Sequence, residues 1–170
     1  MRHGPKLLAA VLLFGLAACG EEQKAEAPPP QEVTADTVGE FCGMDLVEHP
    51  GPKGQIFVRG EPEPLWFATV RELFAFTMLP EMPKDVAAIY VNDMARAQNW
   101  DQPEPGTWME AEKAFYVIGS RQRSGMNTDE LVPFGDEAAA RAFAAEQGGT
   151  VVRFDEMPED AVFPGAEGMS

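Results

Sequence analysis

Cys42-Gly43-Met44 places a thiol and a thioether two residues apart, with a glycine between them that lets the backbone turn. Sulfur ligands of this kind suit a soft ion such as Cu(I) better than a hard cation. A second Gly-Met pair, Gly125-Met126, lies in the polar run Ser120 to Asn127, outside any core pattern. If that run folds back towards Cys42, one thiolate and two thioethers meet in a low-coordinate sulfur site that favours Cu(I) over zinc. His49, in Glu48-His49-Pro50-Gly51-Pro52, is either a further ligand or a solvated turn residue. Asp93 ends an expected strand and could join His49 in a second, harder metal position. Other methionines, Met78, Met82, Met94, Met109 and Met157, are expected to pack.

Cys42 is the thiol that counts because the other cysteine has another use. Residues 1–18 carry Arg2 and Lys6, an apolar run from Leu7 to Leu16, and the small residues Ala17 and Ala18 before Cys19. This is the pattern of a secretory leader, and its apolar run is too short to span a bilayer. A cysteine directly after Leu-Ala-Ala resembles the bacterial lipoprotein signal, in which the thiol is acylated and heads the mature chain. Cys19 is then a lipid anchor. The chain is expected in the periplasm, and Gly20, which is not acidic, points to the outer membrane.

The full chain carries a net charge of −15. Removing the leader takes away Arg2 and Lys6 and no acid, leaving about −17. So acidic a chain is repelled by nucleic acid and by anionic lipid, so membrane attachment falls to the acyl group.

The elements that position these residues follow from the pattern. Residues 19–39, with Pro28-Pro29-Pro30, read as an acylated, flexible tether. A domain over 40–164 divides near Gln102-Pro103-Glu104-Pro105-Gly106 into halves of about 40–102 and 106–164, and residues 165–170 read as a frayed tail. Gln55–Val58 and Pro64–Phe67 have strand composition, Thr69 caps a helix with Glu72 three residues on, and Ala87–Val91 is a third strand. Ala114–Ile118, then Leu131–Phe134 with its edge-marking Pro133, an Asp136-capped helix over Glu137–Gln147, and Thr150–Phe154 repeat the order. Leu65 with Val132, Phe67 with Phe134, Thr69 with Asp136 and Phe76 with Phe143 all align at one offset. The expected fold is α+β, two ββαβ units in one compact domain.

Four ordered stretches carry a resemblance. Phe41-Cys42-Gly43-Met44-Asp45, His49 to Gln55, Ala114 to Arg121 with Ser124-Gly125-Met126, and Gly148 to Glu156 resemble the NosL proteins, lipoprotein copper chaperones associated with nitrous oxide reductase. The resemblance covers nearly all of the chain after the tether. It implies two ββαβ units related to a domain of organomercurial lyases. It also implies Cu(I) binding and delivery during assembly of the reductase's catalytic copper–sulfide centre, with the reductase apoprotein and a membrane copper-supply system as partners. Cys42 and Met44 match the family's Cys-Gly-Met, and Met126 its Gly-Met after the Ser-Arg pair. Some relatives carry another cysteine shortly before the Cys-Gly-Met, where this chain has residues such as Val38 and Gly39. A third ligand is then Met126, His49, water or a partner's residue. Two other readings of Cys42 stand beside this one: a nucleophile with His49 as its base, and a bystander in a scaffold lipoprotein without metal chemistry.

Overall fold

The computed structural model describes residue 1 and residues 27–83 and 85–165, so the leader and Cys19 lie outside the described residues. Among the described residues two antiparallel sheets form. The first, in the order β2-β1-β3-β4, is built from β1 (Gly54–Val58), β2 (Leu65–Phe67), β3 (Val86–Asn92) and β4 (Trp108–Glu110). The second, β6-β5-β7, comprises β5 (Phe115–Ile118), β6 (Val132–Phe134) and β7 (Thr150–Arg153).

Each half inserts its helix between its second and third strands. Helix α1 (Val70–Met78) starts at a capping box: the Thr69 hydroxyl accepts from the Glu72 amide, and the Glu72 carboxylate accepts from the Thr69 amide. Helix α2 (Glu137–Gln147) is capped by Asp136, which accepts from the Ala139 amide at 2.8 Å. The repeat extends to strand register. Gly54 faces Phe67 on one side and Val91 on the other, as Phe115 faces Phe134 and Arg153. It extends also to packing, since Phe67 meets Phe76 at 5.0 Å between centroids and Phe134 meets Phe143 at 5.2 Å.

Alternation along the strands separates the layers. Tyr116 and Ile118 face the main core, built on α1, where Phe74 meets Tyr116 edge-on at 5.0 Å. Phe115 and Val117 face α2 and Phe143 on the other side. Beyond the expected elements the chain adds β4, which pairs with β3, and a short helix α3 (Glu159–Val162) whose Val162 is buried in the main core. Neither is long enough to show a period in the sequence.

The outer face of the first sheet is covered by the segment read as tether. The Gln31 amide donates to Gln55 Oε1 and the Gln31 carbonyl accepts from Gln55 Nε2, both at 2.9 Å. Tyr90 donates its hydroxyl to the Pro28 carbonyl, and Glu32 accepts from the Trp108 indole and the Gly106 amide. Residues 28–34, part of the stretch read as a flexible tether, are therefore seated on the sheet. Val33 packs with Phe57, Tyr90 and Trp108, apolar surface that would otherwise face water.

Candidate metal centre

Both Gly-Met pairs sit on hairpin-like loops. The first is closed by the Leu46 amide on the Thr37 carbonyl, the bridge between Val38 and Asp45, and the Gly39 amide on the Met44 carbonyl. At its tip the Gly43 amide donates to the Gly39 carbonyl, and Gly43 adopts φ of +62°. That backbone is one a glycine takes without strain. Gly39 lies directly under the thiol: a β-carbon there would come within 2.7 Å of Cys42 Sγ. Phe41 rests on Phe67 and Phe76, and Leu46 is fully buried, so the loop is anchored at its tip and at its base. Between the anchors Cys42 is half-buried and Met44 is 44% exposed.

The second loop is an insertion. The β1–β2 connection is short, whereas β5 and β6 are joined by residues 119–131, which fold into their own hairpin. The Glu130 amide donates to the Gln122 carbonyl, Arg123 pairs with Asp129, and the Ser124 amide donates to the Thr128 carbonyl. The buried Ser124 hydroxyl accepts from the amides of Met126 and Thr128, organising a tip of Gly125, Met126 and Asn127. Met126 is 41% exposed. Methionine is ordinarily a buried residue, and Met82, Met94, Met109 and Met157 pack as expected. Met78, expected to pack with them, is instead exposed because it is the last residue of α1.

The tip of the second loop is seated on the turn that follows the first. A β-carbon on Gly125 would stand 2.6 Å from Pro50 Cδ, a closeness that glycine alone allows. Pro50 is joined to the Cys42 loop by a single 3₁₀ turn, Leu46–Glu48. The structure thus brings the tip that carries Met126 against the turn that carries His49, which follows the Cys42 loop in the chain.

His49 is 8% exposed, so it is not a solvated turn residue. Its amide donates to the Leu46 carbonyl, and its imidazole makes no hydrogen bond with another described residue. Asp93 joins the two halves of the fold. Its Oδ1 accepts from the Ala95 amide at 3.0 Å and the Gly135 amide at 2.9 Å, tying the β3 end of the first half to the β6 end of the second. Both bonds fall on Oδ1, so the second metal position read from the sequence would use Oδ2 with His49. Among the described residues no group of three or more His, Cys, Asp or Glu side chains converges as a metal site.

Two charged residues beneath the loops were not singled out from the sequence. Lys53 is buried, and burial pulls its ammonium down to about 8 against the fields of Glu130 and Asp101, which push it up. Glu130 is wholly buried, and desolvation pushes its carboxyl up to about 8 against the Leu131 amide and the charges of Lys53 and Arg71. Charged residues are almost never fully buried, so composition gives no signal for either.

Comparison with known proteins agrees with this architecture. The NosL family model matches residues 30–162. The chain is 44% identical over 162 residues to the copper-binding lipoprotein NosL of Achromobacter cycloclastes, covering 95% of this chain and 83% of the relative. It is 34% identical over 155 residues to the copper-binding lipoprotein NosL of Stutzerimonas stutzeri, covering 90% and 79%. The crystal structure of the copper chaperone NosL from Shewanella denitrificans superposes with a TM-score of 0.72 at 32% identity, over 78% of this chain and 98% of that one. With one family model across nearly all of the described domain, and relatives matched along most of their length, the chain belongs to the NosL family.

Proposed function

We propose that this chain is a copper-binding lipoprotein of the bacterial periplasm, a Cu(I) metallochaperone rather than an enzyme. Its cargo goes to the apoprotein of nitrous oxide reductase for assembly of the catalytic copper–sulfide centre, and a membrane copper-supply system loads it. Acylated Cys19 holds it at a membrane, with the outer membrane favoured. Cys42, Met44 and Met126 hold the ion, and His49 is a further candidate donor. Asp93 serves two amides through Oδ1, and a second, harder position with His49 would use its other oxygen.

The observation that carries this reading is the exposure of the sulfur residues. Met44 and Met126 stand open to solvent on glycine-linked tips, and Cys42 is only half-buried beside one of them. A carrier needs an open, incompletely coordinated site so that an incoming ligand can exchange for an outgoing one, whereas a closed tetrahedral site retains its metal. Thioethers add affinity for Cu(I) without a charge that would attract harder ions.

Competition against a chromogenic Cu(I) chelator tests it. Cys42→Ala is expected to abolish high-affinity binding, and Met44→Ala and Met126→Ala to weaken it. Unchanged affinity in Cys42→Ala would remove the thiol from the site and the proposal with it. Delivery is tested by mixing the copper-loaded chain with copper-free reductase and following the metal to one protein or the other.

A further inference from the structure

Lys53 carries a charge into the interior, which costs free energy unless its protons are satisfied. Its Nζ donates to the His49 carbonyl at 2.6 Å and to the Gly51 carbonyl at 2.5 Å. Those carbonyls flank Pro50, so the two bonds clamp the turn on both sides of the proline ring. Gly125 rests on that ring, and Met126 follows it. Glu130 stands by the same turn. A β-carbon on Gly51 would lie 3.6 Å from Glu130 Oε2, an oxygen with no hydrogen-bond partner among the described residues. Its other oxygen accepts from the Leu131 amide, at the foot of the Met126 hairpin. No Lys53–Glu130 ion pair within 4.0 Å appears among the described salt bridges. Lys53 therefore spends its hydrogen bonds on the turn's backbone, not on the carboxylate.

We infer that Lys53 is a positioning residue for Met126: by clamping the His49–Gly51 turn it fixes the Pro50 seat on which Gly125 rests, and so fixes where the thioether stands. The inference rests on the reading of Met126 as a copper ligand, but its mechanical part concerns the metal-free chain. Groups that orient a metal ligand without touching the metal commonly change affinity by about 10- to 100-fold when removed.

Two measurements test it. In metal-free protein, amide hydrogen exchange at Asn127 and Thr128, both bonded inside the hairpin, is expected to quicken in Lys53→Met while the β5 amides keep their rates. Lys53→Arg, which retains the donors, is expected to restore slow exchange. Lys53→Gln, keeping part of the donor set, replaces Lys53→Met should that variant not fold. In Cu(I) competition, Lys53→Met is expected to weaken binding about tenfold or more in the parent chain. It should cost nothing further in a Met126→Ala background. Unchanged exchange at the tip, or the same fold-loss with and without Met126, would overturn the inference. If Met126→Ala alone left affinity intact, the ligand reading would fail, and the exchange rates would still decide whether Lys53 positions the tip.

Discussion

Phe41 meets Phe67 edge-on, 5.9 Å between ring centroids, although nearly half of Phe41 remains exposed. The same ring lies 5.9 Å from Phe76, so the residue before Cys42 is pinned to the pair that defines the first half of the repeat. The thiol's position is therefore set by a loop held by its backbone bonds and by this aromatic contact, not by a strand or a helix. Phe41→Ala is expected to cost about 1–2 kcal/mol in chemical denaturation, from lost apolar burial and ring packing. It should also lower Cu(I) affinity with every sulfur still present. Full affinity in that variant would show that the loop holds its shape without the ring.

Replacing Met44 or Met126 by leucine keeps volume and apolar character but removes the thioether. Because both side chains are exposed, stability should shift by less than about 0.5 kcal/mol. Cu(I) affinity should fall in each. Thermal melts of the metal-free variants beside chelator competition separate the two effects, and a drop in melting temperature without a change in affinity would contradict the assignment.

Gln55 is wholly buried in β1, and both ends of its amide are bonded to the backbone of Gln31. Removing the side chain in Gln55→Ala takes both partners from the half-buried Gln31 backbone, at up to about 1–3 kcal/mol for a group that water does not reach. The expected result is faster hydrogen exchange at the Gln31 amide and greater susceptibility of residues 28–34 to proteolysis. Unaltered exchange would mean that Val33 and the Tyr90–Pro28 bond suffice to hold the segment.

Glu130 gives the fold a pH dependence of definite sign. Its folded pKa is raised to about 8, chiefly by burial, above the value of an unfolded glutamate. The folded state therefore holds the proton more tightly, and this group's contribution to stability is full at pH below about 4.5 and is lost as pH rises towards 8. Denaturation midpoints of the metal-free chain are expected to fall over that interval. In Glu130→Gln the fall should be visibly shallower; an identical pH profile in the variant would contradict the assignment.

Much of the fold was legible because it is repeated. The Thr69 and Asp136 caps, the paired phenylalanines and the edge-strand proline each carry a local reason, and each recurs in the structure at the expected place. Pro133 does lie in an edge strand, although β6 is buried throughout because the Met94 amide donates to the Pro133 carbonyl and covers that edge. The candidate site rests on residue types, since a thiol and thioethers beside glycines in polar loops have few packing uses. How the loops are held was not legible. Lys53 is buried on the His49 and Gly51 carbonyls of a nearby turn, and Glu130 with one oxygen on the Leu131 amide and the other without a partner among the described residues, neither of which the pattern of residue types gives. Gln31 to Val33 look like tether because their partners, Gln55, Tyr90 and Trp108, lie far along the chain. His49 misled in the other direction: Pro and Gly around it suggest an open turn, and the clamp on its carbonyl draws it in.

The most direct test is X-ray absorption at the copper edge of the Cu(I)-loaded chain, compared with Cys42→Ala and Met126→Ala. The expected spectrum is that of a low-coordinate monovalent ion with a sulfur-dominated shell, which loses one sulfur scatterer when Met126 is removed. A shell of oxygen and nitrogen alone, or one unchanged when either sulfur is taken away, would contradict the claim that the two loops share one ion.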